Sequence, residues 1–317
     1  MRYDALVVGA GVCGLTSAIR LAEAGFRVGI WTAEPPHQTT SVAAGAMWGP
    51  YLVEPRERVR IWSARSLAVF RELAKDPDSG VHLTPGLEAS RTPVDPPEWG
   101  DRLDEFRMCE PDELPTGFVA GWRFVAPLID MPRHLDYLQR RLHDAGGTIE
   151  VHHITSLAET VDAAPLVVNC TGMGARDLVP DHELTPIRGQ LVVVENPGLT
   201  EFFSEDTGLS SDLLHFSPFG NTVILGGVAQ PGQWSREPDE ATSAAILARC
   251  AQVEPRLRDA KILEHRVGLR PTRPSIRLET QPLDGTHLIH NYGHGGAGVT
   301  LSWGCAEEVA AAAQAVS

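Results

Sequence analysis

Asp4-Ala-Leu-Val-Val-Gly-Ala-Gly-Val-Cys-Gly14 decides the fold class, and the rest of the chain reads outward from it. Ala5 to Val8 is a short apolar run of the kind a buried parallel strand needs. Gly9, Gly11 and Gly14 then give Gly-x-Gly-x-x-Gly, followed by a helical stretch, Leu15 to Ala24, that ends at Gly25. Gly9 allows the tight turn off the strand, Gly11 lets a pyrophosphate approach the backbone, and Gly14 lets helix and strand pack closely. The helix N-terminus adds N–H groups and a partial positive charge. Val28 to Trp31 completes strand–helix–strand, and Glu34 follows at the distance where a ribose partner is expected.

The composition is that of a soluble enzyme. The chain has 317 residues, about two domains on the usual prior, and 43% of them are hydrophobic, enough for a sizeable core. Its 27 basic and 41 acidic residues give a net charge of −14, which argues against nucleic acid or an anionic membrane as partner. No apolar run approaches the roughly 20 residues of a membrane span. Met1-Arg-Tyr-Asp leads straight into a core strand, leaving no room for a signal peptide, and the five scattered cysteines fit a reducing compartment. The cytoplasm is the expected location. Homodimers are the commonest closed assemblies, and a homodimer is compatible with everything in the sequence.

Past Glu34, Pro35-Pro36 breaks the chain. Thr39 to Pro50 is dense in small residues, suited to backbone lying against a planar ligand or to a helix start capped by Thr40 or Ser41. Glu57 to Ala74 reads as an amphipathic helix, and the proline-rich stretch 76–133 as short strands and loops. His134 to Ala145 is helical, Thr148 to Ile154 a strand, and Leu166 to Gly174 a second strand-then-glycine unit. Pro186 to Val194 and Leu213 to Gly227 read as strands, and Glu240 to Val253 as a helix. Gly268-Leu-Arg-Pro-Thr-Arg-Pro274 cannot be helical. His287 to His290 is a last strand before Asn291-Tyr-Gly-His-Gly-Gly-Ala-Gly298, which opens the final helix, Val299 to Ala313. The pattern predicts an α/β fold. A Rossmann-like nucleotide-binding domain would be built from discontinuous segments (1–43, 137–183 and 268–317). Residues 44–136 and 184–267 would form a second, strand-rich α+β domain. Ligand sites favour the crevice between such domains.

At Leu288 to Ala306 the sequence resembles the signature of the D-amino-acid oxidase family of flavoproteins. The glycine loop, Ser41-Val-Ala-Ala-Gly45, Val168-Asn-Cys-Thr-Gly172, Arg188-Gly-Gln190 and Gly268 to Pro274 match that family in the same order, so the resemblance covers essentially the whole chain. It implies an FAD lying along the first domain with its flavin at the domain interface. It also implies oxidation of a D-amino acid, with molecular oxygen as acceptor, to a 2-oxo acid, ammonia and hydrogen peroxide by hydride transfer from Cα to flavin N5. A D-aspartate oxidase or glycine oxidase type of specificity fits the same motifs. The glycine loop by itself also serves nicotinamide (NAD) dehydrogenases, and a non-catalytic flavin-binding protein is a further alternative. The motif at Gly293 to Gly298 has no use in a nicotinamide enzyme.

The resemblance implies roles for particular residues. Cofactor contacts fall to Gly9, Ala10, Gly11, Val12, Cys13 and Gly14, to Glu34, and to Thr39, Thr40 and Ser41. They continue through Ala44, Gly45, Ala46 and Met47, through Val168, Thr171 and Gly172, and through Arg270. They end at Gly293, Gly295, Gly296, Gly298, Val299 and Thr300. Arg270 would pair bidentately with the substrate carboxylate, and the Gly296 carbonyl would accept from the substrate amine. Tyr51 matches a pocket-lining tyrosine. His215 stands where the family carries a carboxylate-binding tyrosine; an imidazole can donate to a carboxylate, attract it as a cation, or be a neutral bystander. Positioning and electrostatics suffice for hydride transfer, so no acid–base pair and no metal are expected.

Overall fold

The chain opens with the buried strand β1 (Ala5–Val8), which turns at Gly9 into helix α1 (Val12–Glu23). The turn has one workable residue at each of two places. Gly9 adopts φ +105°, and a Cβ on Gly14 would lie 1.9 Å from the Gly9 carbonyl oxygen, so helix and strand meet only through glycine. The structure is a computed structural model that describes residues 2–50, 53–205 and 213–316. Its further strands are β2 (Val28–Thr32), β3 (Val81–Ser90), β4 (Asp104–Met108), β5 (Ala120–Ile129), β6 (Thr148–Val151) and β7 (Leu166–Asn169). They continue as β8 (Thr185–Glu195), β9 (Phe202–Ser204), β10 (His215–Phe219), β11 (Thr222–Gly226), β12 (Gln230–Pro231), β13 (Ile262–Leu283) and β14 (Thr286–His294). The remaining helices are α2 (Arg56–Leu73), α3 (Met131–Asp144), the single turn α4 (Ala175–Leu178), α5 (Glu240–Val253) and α6 (Gly298–Val316).

Five strands in the order β6-β2-β1-β7-β14 are parallel neighbours. This is the doubly wound half, and its inner strands β1 and β7 are buried at every position because helices cover the sheet. The order continues without a break as β13-β8-β11-β10-β9-β3-β5-β4, largely antiparallel. One strand makes the join. The first half of β13 pairs with β8, from Ile262 to Thr272, and its second half pairs with β14, from Thr272 to Leu283. The boundary expected at 268 therefore falls inside a strand, and the one at 137 inside α3.

Strands β3 and β5 are ten residues each, longer than their prolines suggested. Pro85 lies just outside the β9 pairing (Gly86 to Glu88) and Pro127 beyond the β4 pairing (Trp122 to Val125), where the loop at Ala46 to Trp48 runs alongside and Trp48 N donates to the Pro127 carbonyl at 2.9 Å. A missing N–H is tolerated where the ladder to such a neighbour has ended. The expected side-chain cap at Thr40 or Ser41 is also replaced. The short 3-10 turn Thr40–Ala43 carries no side-chain cap, and Ser41 Oγ instead accepts from Val12 N at 2.9 Å, capping α1 from across the chain.

Helix α3 buries Leu135, Leu138 and Leu142 completely, each contributing roughly 1.5–3 kcal/mol. Beside them His134 is fully buried, its Nδ1 donating to the Ser79 carbonyl at 2.8 Å, and burial pushes its pKa down to about 4. His290, fully buried in β14, is likewise lowered to about 4, mainly by burial and then by Arg277. Between their ordinary value near 6.5 and that lowered one, the unfolded chain binds protons that the folded chain does not, so stability declines as pH falls. Thermal midpoints measured from pH 7 to pH 4 are expected to fall steadily. His134→Asn keeps a donor for Ser79 but removes the titration, so its curve should be flatter over that range. Equal slopes for the two proteins would contradict the assignment.

Candidate functional site

At the carboxyl ends of β1, β2, β7 and β14 the glycine turns open onto one cavity of about 1140 Å³ that extends under the antiparallel half of the sheet. Pockets for drug-sized ligands span roughly 300–1,000 Å³, so this one has room for an extended ligand and a second small one. The structure brings most of the expected residues together on its wall: Gly9 to Cys13, Glu34, Thr39 to Ser41, Ala44 to Met47, Thr171, Gly172, Arg270, Gly295, Gly296 and Gly298 to Thr300. Gly14, Gly293 and Val168 lie behind the wall. The Val168 side chain is fully buried within β7 as part of the core. Tyr51 lies outside the described residues.

At one end, Glu34 Oε1 accepts from Arg236 Nη1 at 2.7 Å, and Arg236 Nη2 reaches the Gln38 carbonyl. Arg236 belongs to a strap, residues 230–239, that Arg188 and Gln190 hold at its root. Arg188 donates to the Ser235 and Glu237 carbonyls and to Gln230 Oε1, while Gln190 bonds the Asp239 carbonyl and Ser243. The Arg188-Gly-Gln190 motif has a second task through its middle residue. Alternation along β8 turns Gly189 toward the cavity, where a Cβ would lie 2.7 Å from the Arg270 guanidinium. Gly189 makes room for Arg270, and Arg270 Nη1 is steered by the Val228 carbonyl at 3.0 Å.

His215 lines the same cavity as this guanidinium, with its ring between Gly45 and Gly226. Burial lowers its pKa to about 4, and the charge of Arg270 acts in the same direction, so the ring is neutral at pH 7. Its Nδ1 donates to the Leu213 carbonyl at 2.9 Å. In a neutral imidazole the other nitrogen is then an acceptor. Of the roles the sequence left open, this geometry favours the neutral ring, whose Nε2 is placed to accept and not to donate to a carboxylate. Burial also holds His294 neutral, at about 4, and raises the thiol of its neighbour Cys13 well above the ordinary range. The Thr300 hydroxyl bonds both Gly49 N and Gly49 O, fixing the chain segment opposite the start of α6.

The geometry is matched by comparison. Residues 4–312 match the DAO family, described as FAD dependent oxidoreductase. The chain belongs to this family. It is 51% identical over 313 residues to a D-amino-acid oxidase of Rubrobacter xylanophilus, covering 98% of this chain and 96% of that protein. A D-amino-acid oxidase of Streptomyces coelicolor is 48% identical, with coverages of 97% and 95%. Among solved structures, the glycine oxidase of Geobacillus kaustophilus superposes with a TM-score of 0.81 at 20% identity, over 100% of this chain and 95% of that one, which is a likeness of fold.

FAD is the cofactor, and the residues present fit it. Helix α1 starts at Gly11 with extended backbone, no cap from Gly11 itself and no acidic residue in its first turn, and α6 likewise starts without one. Anionic phosphates and an electron-rich ring edge are favoured at such ends. Gly11 leaves the approach open, since a Cβ there would already lie 3.1 Å from Ser41 Oγ. The Glu34 end of the cavity is polar and suits a ribose. Among the described residues no three His, Cys, Asp or Glu side chains cluster as a metal site, and no helix is long and apolar enough to cross a membrane. Gly11→Val should block the phosphate approach and displace Ser41, giving largely apo protein. The check is the ratio of flavin to protein absorbance after gel filtration, with the thermal midpoint that bound FAD normally raises. Full flavin content in Gly11→Val would mean the phosphates lie elsewhere.

Proposed function

We propose that this chain oxidises D-amino acids, yielding the 2-oxo acid, ammonia and hydrogen peroxide. The observation that carries the reading is Arg270, a guanidinium on the wall of the cofactor cavity, with Gly189 clearing its place and Val228 orienting it. A planar guanidinium in a partly desolvated site is the side chain best matched to an α-carboxylate. Kinship at 51% and 48% identity with D-amino-acid oxidases supports the same substrate class.

In this reading Arg270 holds the carboxylate without help from His215, whose Nε2 is an acceptor. The Gly296 carbonyl, at the cavity wall in the turn Gly295–Ala297, accepts from the substrate amine. Fixing carboxylate and amine together orients the Cα–H and converts an encounter into an aligned reaction. FAD, when bound, would supply the two-electron acceptor for the Cα–H, with oxygen as the final acceptor. Large apolar side chains on the cavity wall, among them Leu191, Trp99 and Trp122, limit water inside it. Segments 1–43, 137–183 and 268–317 form the cofactor domain, from which Arg270 and Gly296 reach the substrate, and 44–136 and 184–267 the substrate domain. Five unpaired cysteines suit the reducing cytoplasm.

The test is a peroxide assay of the yellow protein across D- and L-amino acids, glycine and sarcosine, in which D-amino acids should be oxidised and their L-enantiomers not. Preference for L-amino acids, or peroxide from none, would overturn the reading. Gly189→Ala supplies a second check. The methyl group displaces only the flexible end of Arg270, so folding and flavin content should be near those of the parent while KM for the best D-amino acid rises about tenfold or more. An unchanged KM would remove Arg270 from the carboxylate site.

A further inference from the structure

The antiparallel half of the sheet carries a row of side chains across the floor of the cavity. Register pairs Trp122 of β5 with Glu88 of β3, Glu88 with Ser204 of β9, and Ser204 with His215 of β10. Residues directly opposite one another share a face. All four line the cavity, while the alternate positions Leu87, Ala89 and Phe216 turn into the hydrophobic cluster beneath. Glu88 is 4% exposed, a carboxyl group set into the floor rather than placed at the rim. It lies two strand spacings from His215, about 10 Å between backbones. His215 lines the same cavity as Arg270, whose charge acts on it.

The surroundings give this carboxyl group a partner of definite sign. Trp122, 2% exposed, and Trp99 stand on the same wall. Indole faces attract cations, and a carboxylate attracts them more strongly. Asp95, on the same wall, adds a second negative charge. Arg270 and the strap residue Arg236 are the arginines lining the cavity among the described residues, and His215 and His294 are neutral. A substrate anchored by its α-carboxylate on Arg270 and extended along the row meets opposite signs at its two ends.

We propose that Glu88 is a specificity-determining residue, selecting D-amino acids whose side chains end in a cation or an N–H donor. D-Lysine, D-ornithine and D-arginine are the substrates that match. Acidic side chains are rejected, because a second carboxylate would be placed against Glu88 in a desolvated pocket. This rests on the oxidase reading and on Arg270 as the carboxylate anchor.

The experiment measures kcat/KM for D-lysine, D-norleucine, D-glutamate and D-glutamine in the flavin-loaded parent and in Glu88→Gln, each divided by the D-alanine value of the same protein. The parent should favour D-lysine over D-norleucine and D-glutamine over D-glutamate. In Glu88→Gln the lysine-to-norleucine ratio should fall about tenfold or more, and the glutamate-to-glutamine ratio should rise about as much. Glu88→Asp should recover part of the lysine preference, which a merely structural role would not give. Ratios unchanged by Glu88→Gln overturn the proposal and leave the oxidase reading intact. Should Glu88→Gln lose its flavin, the parent alone decides, since a preference for D-glutamate over D-glutamine contradicts the proposal. Absence of turnover with every D-amino acid, D-alanine included, is the separate failure that removes the oxidase reading and the proposal together.

Discussion

One long strand sets the rest. β13 pairs with the antiparallel half through residues up to Thr272 and with the parallel half beyond it, so its hydrogen bonds fix the two halves of the sheet against each other. Arg270 lies two residues before that crossing, and its register partner Ile187 belongs to β8. On the far side β14 runs directly into Gly295 and the start of α6. A carboxylate anchor and a helix N-terminus are thus held on one rigid sheet, which is the precision a positioning mechanism requires.

The electrostatics of the cavity follow from what is buried in it. His215 and His294 are both driven neutral by burial, so they add no positive charge of their own. Arg270 and the Glu34-bound Arg236 are left at separate places along the wall, and Glu88 lies on the floor. Neutral imidazoles serve such a site better than cationic ones, because a second cation beside Arg270 would weaken the distinction between the carboxylate and the rest of the substrate. The tautomer of His215 depends on a single backbone carbonyl, that of Leu213.

The local parts of this arrangement were legible in the sequence. The turn at Gly9 to Gly14, the cavity-lining Thr171 and Gly172, and the opening of α6 at Gly295 to Gly298 are each short stretches whose residue types state their geometry. Arg270 was found through its proline- and glycine-bound motif and through the resemblance. What could not be read depends on register between distant strands. Glu88 faces the cavity because Ser204, more than a hundred residues later, is its neighbour. Gly189 was quoted within a motif, yet its task, giving space to a side chain of β13, appears only when β8 and β13 are laid side by side. Arg236 and Glu34 meet through a strap whose sequence carries no sign of its destination. His215 lies on the cavity wall, but its protonation and donor pattern are properties of its surroundings and not of its type. The lengths of β3 and β5 were underestimated because the neighbours of Pro85 and Pro127 are also matters of sheet order.

The claim on which the whole depends is that Arg270 anchors the substrate while the cofactor is held independently by the glycine turns. Its most direct test is kcat/KM for the best D-amino acid in Arg270→Ala and Arg270→Lys, alongside flavin content. Truncating one partner of a desolvated charge pair costs about 2–5 kcal/mol. Arg270→Ala should therefore lose about a hundredfold or more while remaining yellow, and Arg270→Lys should recover only part, since a point charge cannot reproduce the bidentate fork. Intact turnover in yellow Arg270→Ala would contradict the account and place the carboxylate elsewhere in the cavity.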